Sequence, residues 1–297
     1  MWRELKNYEA MAQDNMQLQR WELKYLIPEE VALALREFVS SYLEIDEYGA
    51  HRPNLSYSIH NLYLDSDDLR IYWGTINGNK NRFKLRLRFY ADSPDPQAPV
   101  FFEIKRRMND AILKQRCGVQ RSVVESVLGG QLPDVMGLVS QDARQLAAIQ
   151  RFIELSCELR AYPVAHVAYD REAWISPHDN SVRVTFDRNV LISPEFSARF
   201  TSEMDDPSPV FGNGVILELK FTGRFPDWFG EMVRVFGLRQ GSASKYADGI
   251  AVKGEHHFLR NLSMGGKNFE VGLAAERKQA RLSRLARLLG ETSISRT

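Results

Sequence analysis

Alternation of apolar and polar residues with a period of two recurs in eight segments of the chain. The clearest lies at residues 83–90, where Phe and Leu alternate with Lys and Arg. Because successive side chains of a strand point to opposite faces, this period predicts β-strands. The predicted strands are residues 20–27, 57–64, 83–90, 100–107, 112–120, 164–174, 182–191 and 215–222.

Helical spacing of apolar residues occupies several of the segments between these strands. It predicts helices over residues 29–42, within 122–158 and over 226–236. The strands and helices do not alternate as regular βαβ units. The sheet is therefore predicted to be antiparallel, and the fold class to be α+β.

Long charged side chains occupy one face of most of the predicted strands. Lys84, Arg86 and Arg88 are two residues apart and therefore share a face. The pattern recurs in Glu22 with Lys24, Glu103 with Lys105 and Arg107, Lys114 with Arg116, Arg183 with Asp187, and Glu218 with Lys220.

Two arrangements account for these charged faces. In one, they are the solvated side of an antiparallel sheet. In the other, the sheet closes into an eight-stranded antiparallel β-barrel that is flanked by helices, and the charged faces line an interior tunnel. The dominance of long cations over Ser, Thr and Gln favours the tunnel. Cations confined in such a space repel one another, so we expect a polyanion there; phosphate matches Arg and Lys best.

Composition and charge bear on which partners the protein binds and on where in the cell it is expected. The 297 residues carry 39 basic and 38 acidic side chains, a net charge of +1. This balance argues against a nucleic-acid partner. The sequence contains no apolar run of about 18 residues, so no membrane-spanning helix is predicted. Residues 1–15 lack the apolar core of a secretory signal, and two cysteines do not make a disulfide scaffold, so a cytoplasmic location is expected.

Eight short pieces of the chain, taken in order, resemble the VTC-domain polyphosphate polymerases of the triphosphate tunnel metalloenzyme superfamily. They are residues 21–27, 59–65, 82–88, 102–107, 169–173, 183–187, 217–220 and 244–246. The resemblance implies an antiparallel eight-stranded tunnel. It also implies transfer of the terminal phosphoryl group of a nucleoside triphosphate such as ATP to a growing inorganic polyphosphate chain, with pyrophosphate as a short primer.

The same resemblance implies roles for individual residues. Ser244 and Lys245, expected on a loop after the last long helix, would contact the transferred phosphoryl group. Glu218 and Glu22 would hold Mn²⁺ or Mg²⁺; Arg20 stands where the superfamily has a further Glu. The phosphate-binding side chains would be Lys24, Arg86, Arg88, Lys105, Lys114, Arg171, Arg183 and Lys220.

Two other functions are compatible with a cation-lined tunnel. An inorganic triphosphatase or polyphosphatase would use water as the acceptor. A non-catalytic regulatory module would bind polyphosphate without turning it over. The presence of both Glu218 and Lys245 favours catalysis over binding alone.

The chain divides into a polar N-terminal arm (1–18), the tunnel domain (19–255) and a C-terminal tail (256–297). The tail contains a predicted basic amphipathic helix. Two roles stay open for this helix: docking on the barrel, or contact with an anionic membrane or a partner protein. Its apolar face would carry Leu282, Leu285, Ala286 and Leu289, and its basic face Arg277, Arg284 and Arg287.

Overall fold

The strands of the protein form one antiparallel sheet, in which the eight predicted strands are all present. The computed structural model describes residues 20–90, 98–109, 111–177, 179, 181–260, 278–283 and 285–286. The predicted N-terminal arm, residues 1–18, lies outside them. The strands are β1 (Arg20–Ile27), β2 (Glu44–Ile45), β3 (Ser56–Asp65), β4 (Asn81–Phe89), β5 (Val100–Met108), β6 (Ala111–Val119), β7 (Tyr162–Ile175), β8 (Val182–Pro194), β9 (Ser208–Pro209) and β10 (Val215–Thr222).

The order of the strands brings the two ends of the domain together. The long strands follow one another as β1-β10-β8-β7-β3-β4-β5-β6, while the short β2 pairs with β7 and β9 with β8. The first and last strands, β1 and β10, therefore pair directly, with Lys24 opposite Glu218. The prediction of an α+β fold with a large antiparallel, tunnel-like sheet is confirmed.

Closure of the barrel differs from the expectation. Within the described residues, no ladder of backbone hydrogen bonds joins β1 to β6, so the sheet is not closed by pairing. The two edge strands nevertheless lie side by side. Lys105 of β5 reaches over this β1–β6 seam and donates to both carboxylate oxygens of Glu22 on β1, at 3.1 and 3.0 Å. Side-chain contacts thus complete the wall where backbone bonds do not.

Between residues 20 and 260, six α-helices of the described structure lie outside the sheet or at its end. They are α1 (Glu29–Ser40), α2 (Arg70–Ile76), α3 (Val124–Leu128), α4 (Ala143–Leu159), α5 (Asp227–Val235) and α6 (Lys245–Lys253). The predicted segments 29–42, 122–158 and 226–236 correspond to α1, to α3 with α4, and to α5. Helices α2 and α6 were not predicted, because they are only seven and nine residues long, too short for a helical period to stand out in the sequence. None of the helices in the described part of the chain is long and apolar enough to cross a membrane.

The apolar core lies between the sheet and these helices, not inside the barrel. Leu35 of α1 packs in one cluster with Leu217 and Leu219 of β10. On the other side, Phe152 of α4 meets Phe102 of β5 edge to face, with ring centroids 4.9 Å apart. Each large apolar side chain buried in this way contributes about 1.5–3 kcal/mol. With the outer faces of the strands committed to this core, the charged faces turn inward.

Candidate functional site

The inward faces of the strands bring the predicted charged residues together. On β1 and β10, Glu22 lies opposite Lys220, and Lys24 opposite Glu218. These pairs alternate in sign along the strand, which favours their mutual contact. Across β4, β5 and β6, by contrast, Lys84 lies opposite Lys105, which lies opposite Lys114.

Glu218 is the centre of the first group of contacts. Its carboxylate lies 2.7 Å from Nζ of Lys24 and 2.6 Å from Nζ of Lys220. It also lies 3.6 Å from the nearest donors of Arg171 and Lys245. Burial by itself raises the pKa of Glu218, but Lys220, Lys24, Lys245 and Arg171 hold that pKa well below its usual value. Glu218 is therefore ionised at neutral pH. We call Glu22, Lys24, Arg171, Asp187, Glu218, Lys220 and Lys245 the Glu218 cluster.

Lys245 enters this cluster through a second carboxylate, Asp187 of β8. Its Nζ lies 2.6 Å from Oδ2 of Asp187, and the guanidinium of Arg171 binds both oxygens of Asp187 at 2.7 Å. The same Nζ lies 4.6 Å from the centroid of the Tyr169 ring. Burial raises the pKa of Tyr169, but the positive charges of Arg88, Arg171 and Lys245 outweigh this effect and lower that pKa to about 8. The surroundings of Lys245 are thus dense in positive charge.

A second group of contacts surrounds Glu103 of β5. This carboxylate lies 2.6 Å from Arg86, 3.4 Å from Lys114 and 3.5 Å from Arg116, with Arg88 at 3.8 Å. We call these five residues the Glu103 cluster. Burial opposes ionisation, yet Arg86, Arg88, Lys114 and Arg116 hold the pKa of Glu103 well below its usual value. Counting only the residues that the structure describes, one carboxylate faces four cations here. This part of the lumen, the space enclosed by the charged faces of the strands, therefore carries more positive than negative side chains.

The N-terminus of α6 points into the same space. Ser244 is the residue that caps this helix: its Oγ accepts from the backbone N–H of Ala247 at 3.3 Å. Its own N–H donates to Oδ2 of Asp248 at 2.7 Å. The loop predicted here is present but ends at Ser244, and Lys245, which was expected on the same loop, is the first residue of a helix. Backbone N–H groups and the helix dipole favour an anion at such an end.

Arg183 lies apart from both clusters. It faces Lys220 across β8 and β10, but its guanidinium donates to Oδ2 of Asp46 at 3.0 Å. Of the residues predicted to bind phosphate, Lys24, Lys105, Arg171 and Lys220 meet at or beside Glu218, and Arg86, Arg88 and Lys114 meet at Glu103.

The two predicted metal ligands lie close together. Oε1 of Glu22 and Oε1 of Glu218 both contact Nζ of Lys24, at 3.1 and 2.7 Å. Against the effect of burial, Lys105 and Lys24 lower the pKa of Glu22. In the part of the chain that the structure describes, no group of three or more His, Cys, Asp or Glu side chains is placed to hold a metal. Two ionised carboxylates still fit Mg²⁺ or Mn²⁺, because such ions commonly combine one or two carboxylates with substrate phosphates.

The described part of the tail docks beside α6. Residues 278–283 and 285–286 are helical. Leu285 is buried in the main apolar core, Lys278 lies 2.6 Å from Glu255, and Arg281 binds the buried Asp248. Docking is thus the observed arrangement for these residues, whereas Arg277, Arg284, Arg287 and Leu289 lie outside the described ones.

Sequence reasoning missed several residues of the site. Asp187, Glu103 and Lys84 stood on the charged strand faces, so the period-two pattern had marked them without assigning a role. Tyr169 lies two residues before Arg171 on β7, so the period of two also places it on the charged face. No pattern in the sequence pointed to Asp248. Its role appears only in the structure, where its carboxylate accepts from the N–H of Ser244 and binds Arg281.

Comparison with known proteins places the chain in a family. The family model described as the VTC domain matches residues 19–253, which is most of the chain. No curated protein matches the chain. The match spans all ten strands and both carboxylate-centred clusters, and the chain belongs to the VTC-domain family, which is associated with polyphosphate metabolism.

Proposed function

We propose that the chain is a polyphosphate polymerase, which transfers the terminal phosphoryl group of a nucleoside triphosphate to a growing chain of inorganic polyphosphate. The observation that carries the proposal is the position of Lys245 at the N-terminus of α6, within 3.6 Å of Glu218 and among the cations of the lumen. A cation, a helix N-terminus and an ionised carboxylate meet there. Phosphoryl transfer uses such groups for positioning and charge stabilisation.

The charge of the lumen supports polyphosphate as the substrate class. Among the described residues, the cations on β4, β5 and β6 outnumber the carboxylates that they contact in the lumen, as the Glu103 cluster illustrates. A linear polyanion supplies negative charge at regular intervals along its length. Arg86, Arg88 and Arg171 offer forked donors to its oxygens, and Lys24, Lys105 and Lys114 offer point charges.

The reaction balances without a covalent enzyme intermediate. The terminal oxygen of the polyphosphate chain attacks the γ-phosphorus, and a new P–O bond forms. The bond from that phosphorus to the β–γ bridging oxygen breaks, and the nucleoside diphosphate leaves with the electron pair. The attacking oxygen is already ionised at neutral pH, so no strong general base is required. Lys245 and Ser244 hold the transferred group, and the surrounding cations neutralise the charge on its oxygens.

A divalent cation, Mn²⁺ or Mg²⁺, belongs to this proposal. Glu218 and Glu22 are the residues that would hold it, with phosphate oxygens as further ligands. When bound, the cation supplies Lewis-acid charge neutralisation at the phosphates. Lys24, which contacts both carboxylates, would bind a phosphate oxygen beside them.

Incubation of the purified chain with ATP, Mn²⁺ and a pyrophosphate primer, followed by a gel that resolves polyphosphate, tests the function. A ladder of chains is expected from the unsubstituted protein and not from Lys245→Ala. Lys253→Ala is the matched control, because Lys253 ends the same helix and contacts Asp206 outside the lumen. Release of orthophosphate without chains would identify a triphosphatase or polyphosphatase instead. Binding of polyphosphate without turnover would identify a regulatory module.

A further inference from the structure

Lys84 occupies the middle of β4 on the lumen face, but no role follows for it from the fold or the family. It lies opposite Lys105, and Lys105 lies opposite Lys114, so three lysines form a row across β4, β5 and β6. Like charges directly opposite each other on neighbouring strands are destabilising. A row of this kind therefore needs negative charge close to each of its lysines.

The two other lysines of the row have carboxylate partners. Lys105 lies 3.0 Å from Glu22, and Lys114 lies 3.4 Å from Glu103. Among the described residues, Lys84 contacts no carboxylate; its Nζ donates instead to Oγ of Ser244, at 2.6 Å. The ammonium group is thus held at the N-terminus of α6, next to Lys245.

The charged groups that act most strongly on Lys84 are positive, although the carboxylate of Asp248 binds the N–H of Ser244 and the side chain of Arg281. Lys24 of β1, Lys105 of β5, Arg82 of β4 and Arg281 of the tail helix all act on it. Burial, and then these four cations, lower the pKa of Lys84 well below its usual value. A phosphate oxygen at this position would supply the missing negative charge and raise that pKa again, so binding would take up a proton.

We propose that Lys84 is a further phosphate-binding residue, whose ammonium group binds a phosphoryl oxygen beside Ser244 and Lys245. The proposal rests on the function proposed above and adds a contact at the end of the tunnel where the transferred group is held. Oγ of Ser244 accepts hydrogen bonds from both Nζ of Lys84 and the backbone N–H of Ala247. Ser244 thereby fixes the position of both the helix N-terminus and Lys84.

Isothermal titration calorimetry tests this with inorganic tripolyphosphate and the full chain at pH 8, in two buffers that differ in ionisation enthalpy. The two titrations give affinity and proton uptake together. Lys84→Met should bind about tenfold more weakly, the loss of one charge-assisted hydrogen bond, and should take up fewer protons than the unsubstituted chain. Lys84→Arg should recover affinity without the extra proton uptake, because a guanidinium stays charged. Arg106→Met, which removes one cation from the opposite face of the same strand pair, should bind as the unsubstituted chain does.

Lys84→Gln separates phosphate binding from a structural role, because glutamine keeps a donor for Ser244 Oγ but carries no charge. Unchanged affinity and proton uptake in Lys84→Gln would overturn the proposal. Thermal unfolding without ligand should show the melting temperature of Lys84→Met equal to or above that of the unsubstituted chain, since a buried cation without a carboxylate is costly. Failure of the unsubstituted chain to bind tripolyphosphate contradicts the proposed function itself, whereas failure of the Lys84 variants to differ contradicts only this inference.

Discussion

Nζ of Lys245 lies 2.6 Å from Oδ2 of Asp187, a carboxylate that is fully buried and also binds Arg171 through both of its oxygens. Asp187 thus fixes the amine of the residue closest to the proposed chemistry. Burial raises the pKa of Asp187, but the positive charges of Arg171 and Lys245 outweigh this effect and lower that pKa to about 2. The ionised form is therefore the one that positions Lys245.

Asp187→Asn should lower stability by about 3 kcal/mol, because it leaves Arg171 and Lys245 as buried cations with one charge partner fewer. Urea unfolding measures this. The folded pKa lies below the unfolded value, so the contribution of Asp187 is present above about pH 4 and is lost as pH falls through about 2. In Asp187→Asn that acid-dependent loss should be smaller. Equal acid profiles would contradict the assigned ion pair.

Glu103→Gln should destabilise the protein in the absence of ligand and increase the stabilisation that tripolyphosphate provides. Without the carboxylate, Arg86, Arg88, Lys114 and Arg116 repel one another, at a cost of about 3 kcal/mol or more. Polyphosphate would offset that repulsion, so the rise in melting temperature on adding tripolyphosphate should be larger than in the unsubstituted chain. A smaller rise would mean that the anion does not bind near these cations. Glu154→Gln, at an exposed ion pair on α4, is the control.

Lys220 should make phosphate binding dependent on pH. Burial is the main reason that its pKa is lowered to about 8, and Glu218 offsets this only in part. As pH rises through about 8, Lys220 loses its proton, and affinity for tripolyphosphate should fall. Lys220→Arg should lose less affinity between pH 7 and 9 than the unsubstituted chain does, because its guanidinium stays charged and, of these two lysines, only Lys84 still takes up a proton on binding. Parallel pH profiles for the two proteins would show that another group controls binding.

Glu218→Gln should separate binding from turnover. Loss of this carboxylate releases Lys24 and Lys220 from their contacts at 2.7 and 2.6 Å, so polyanion binding should be retained or become tighter. Turnover in Mn²⁺ should fall by at least about a hundredfold, the scale on which loss of one electrostatic catalytic group acts. Full activity of this variant would show that Glu218 does not hold the metal.

The tail helix should contribute to both stability and the site. Leu285→Ala should lower stability by about 2 kcal/mol, since the side chain is buried in the main core. Arg281 binds Asp248, and the carboxylate of Asp248 accepts a hydrogen bond from the backbone N–H of Ser244. Because this contact positions Ser244, Arg281→Ala should reduce activity more than stability. Gln279→Ala, at an exposed position of the same helix, should change neither. Deletion of residues 270–297 with full activity and stability would contradict this docking role.

The eight long strands and their charged faces could be predicted from local sequence pattern alone. Period-two alternation assigns side chains to faces without knowledge of strand order, so Lys24, Arg86 and Glu218 were found from local pattern. The resemblance to VTC-domain proteins then singled out Ser244 and Lys245. Helix α6 was missed, because its first residues are specified by the cap at Ser244 and by burial, not by an apolar period of their own.

Which of these charged side chains contact one another could not be predicted from the sequence. Lys24 and Glu218 are 194 residues apart in the chain, and Lys84 and Ser244 are 160 apart; only the order and register of the strands bring such pairs within hydrogen-bonding distance. The same holds for the β1–β6 seam, where Glu22 and Lys105 complete a wall that backbone pairing leaves open. Alternation fixes the face on which a side chain lies, but its partner depends on the neighbouring strand and its register, which local sequence does not encode.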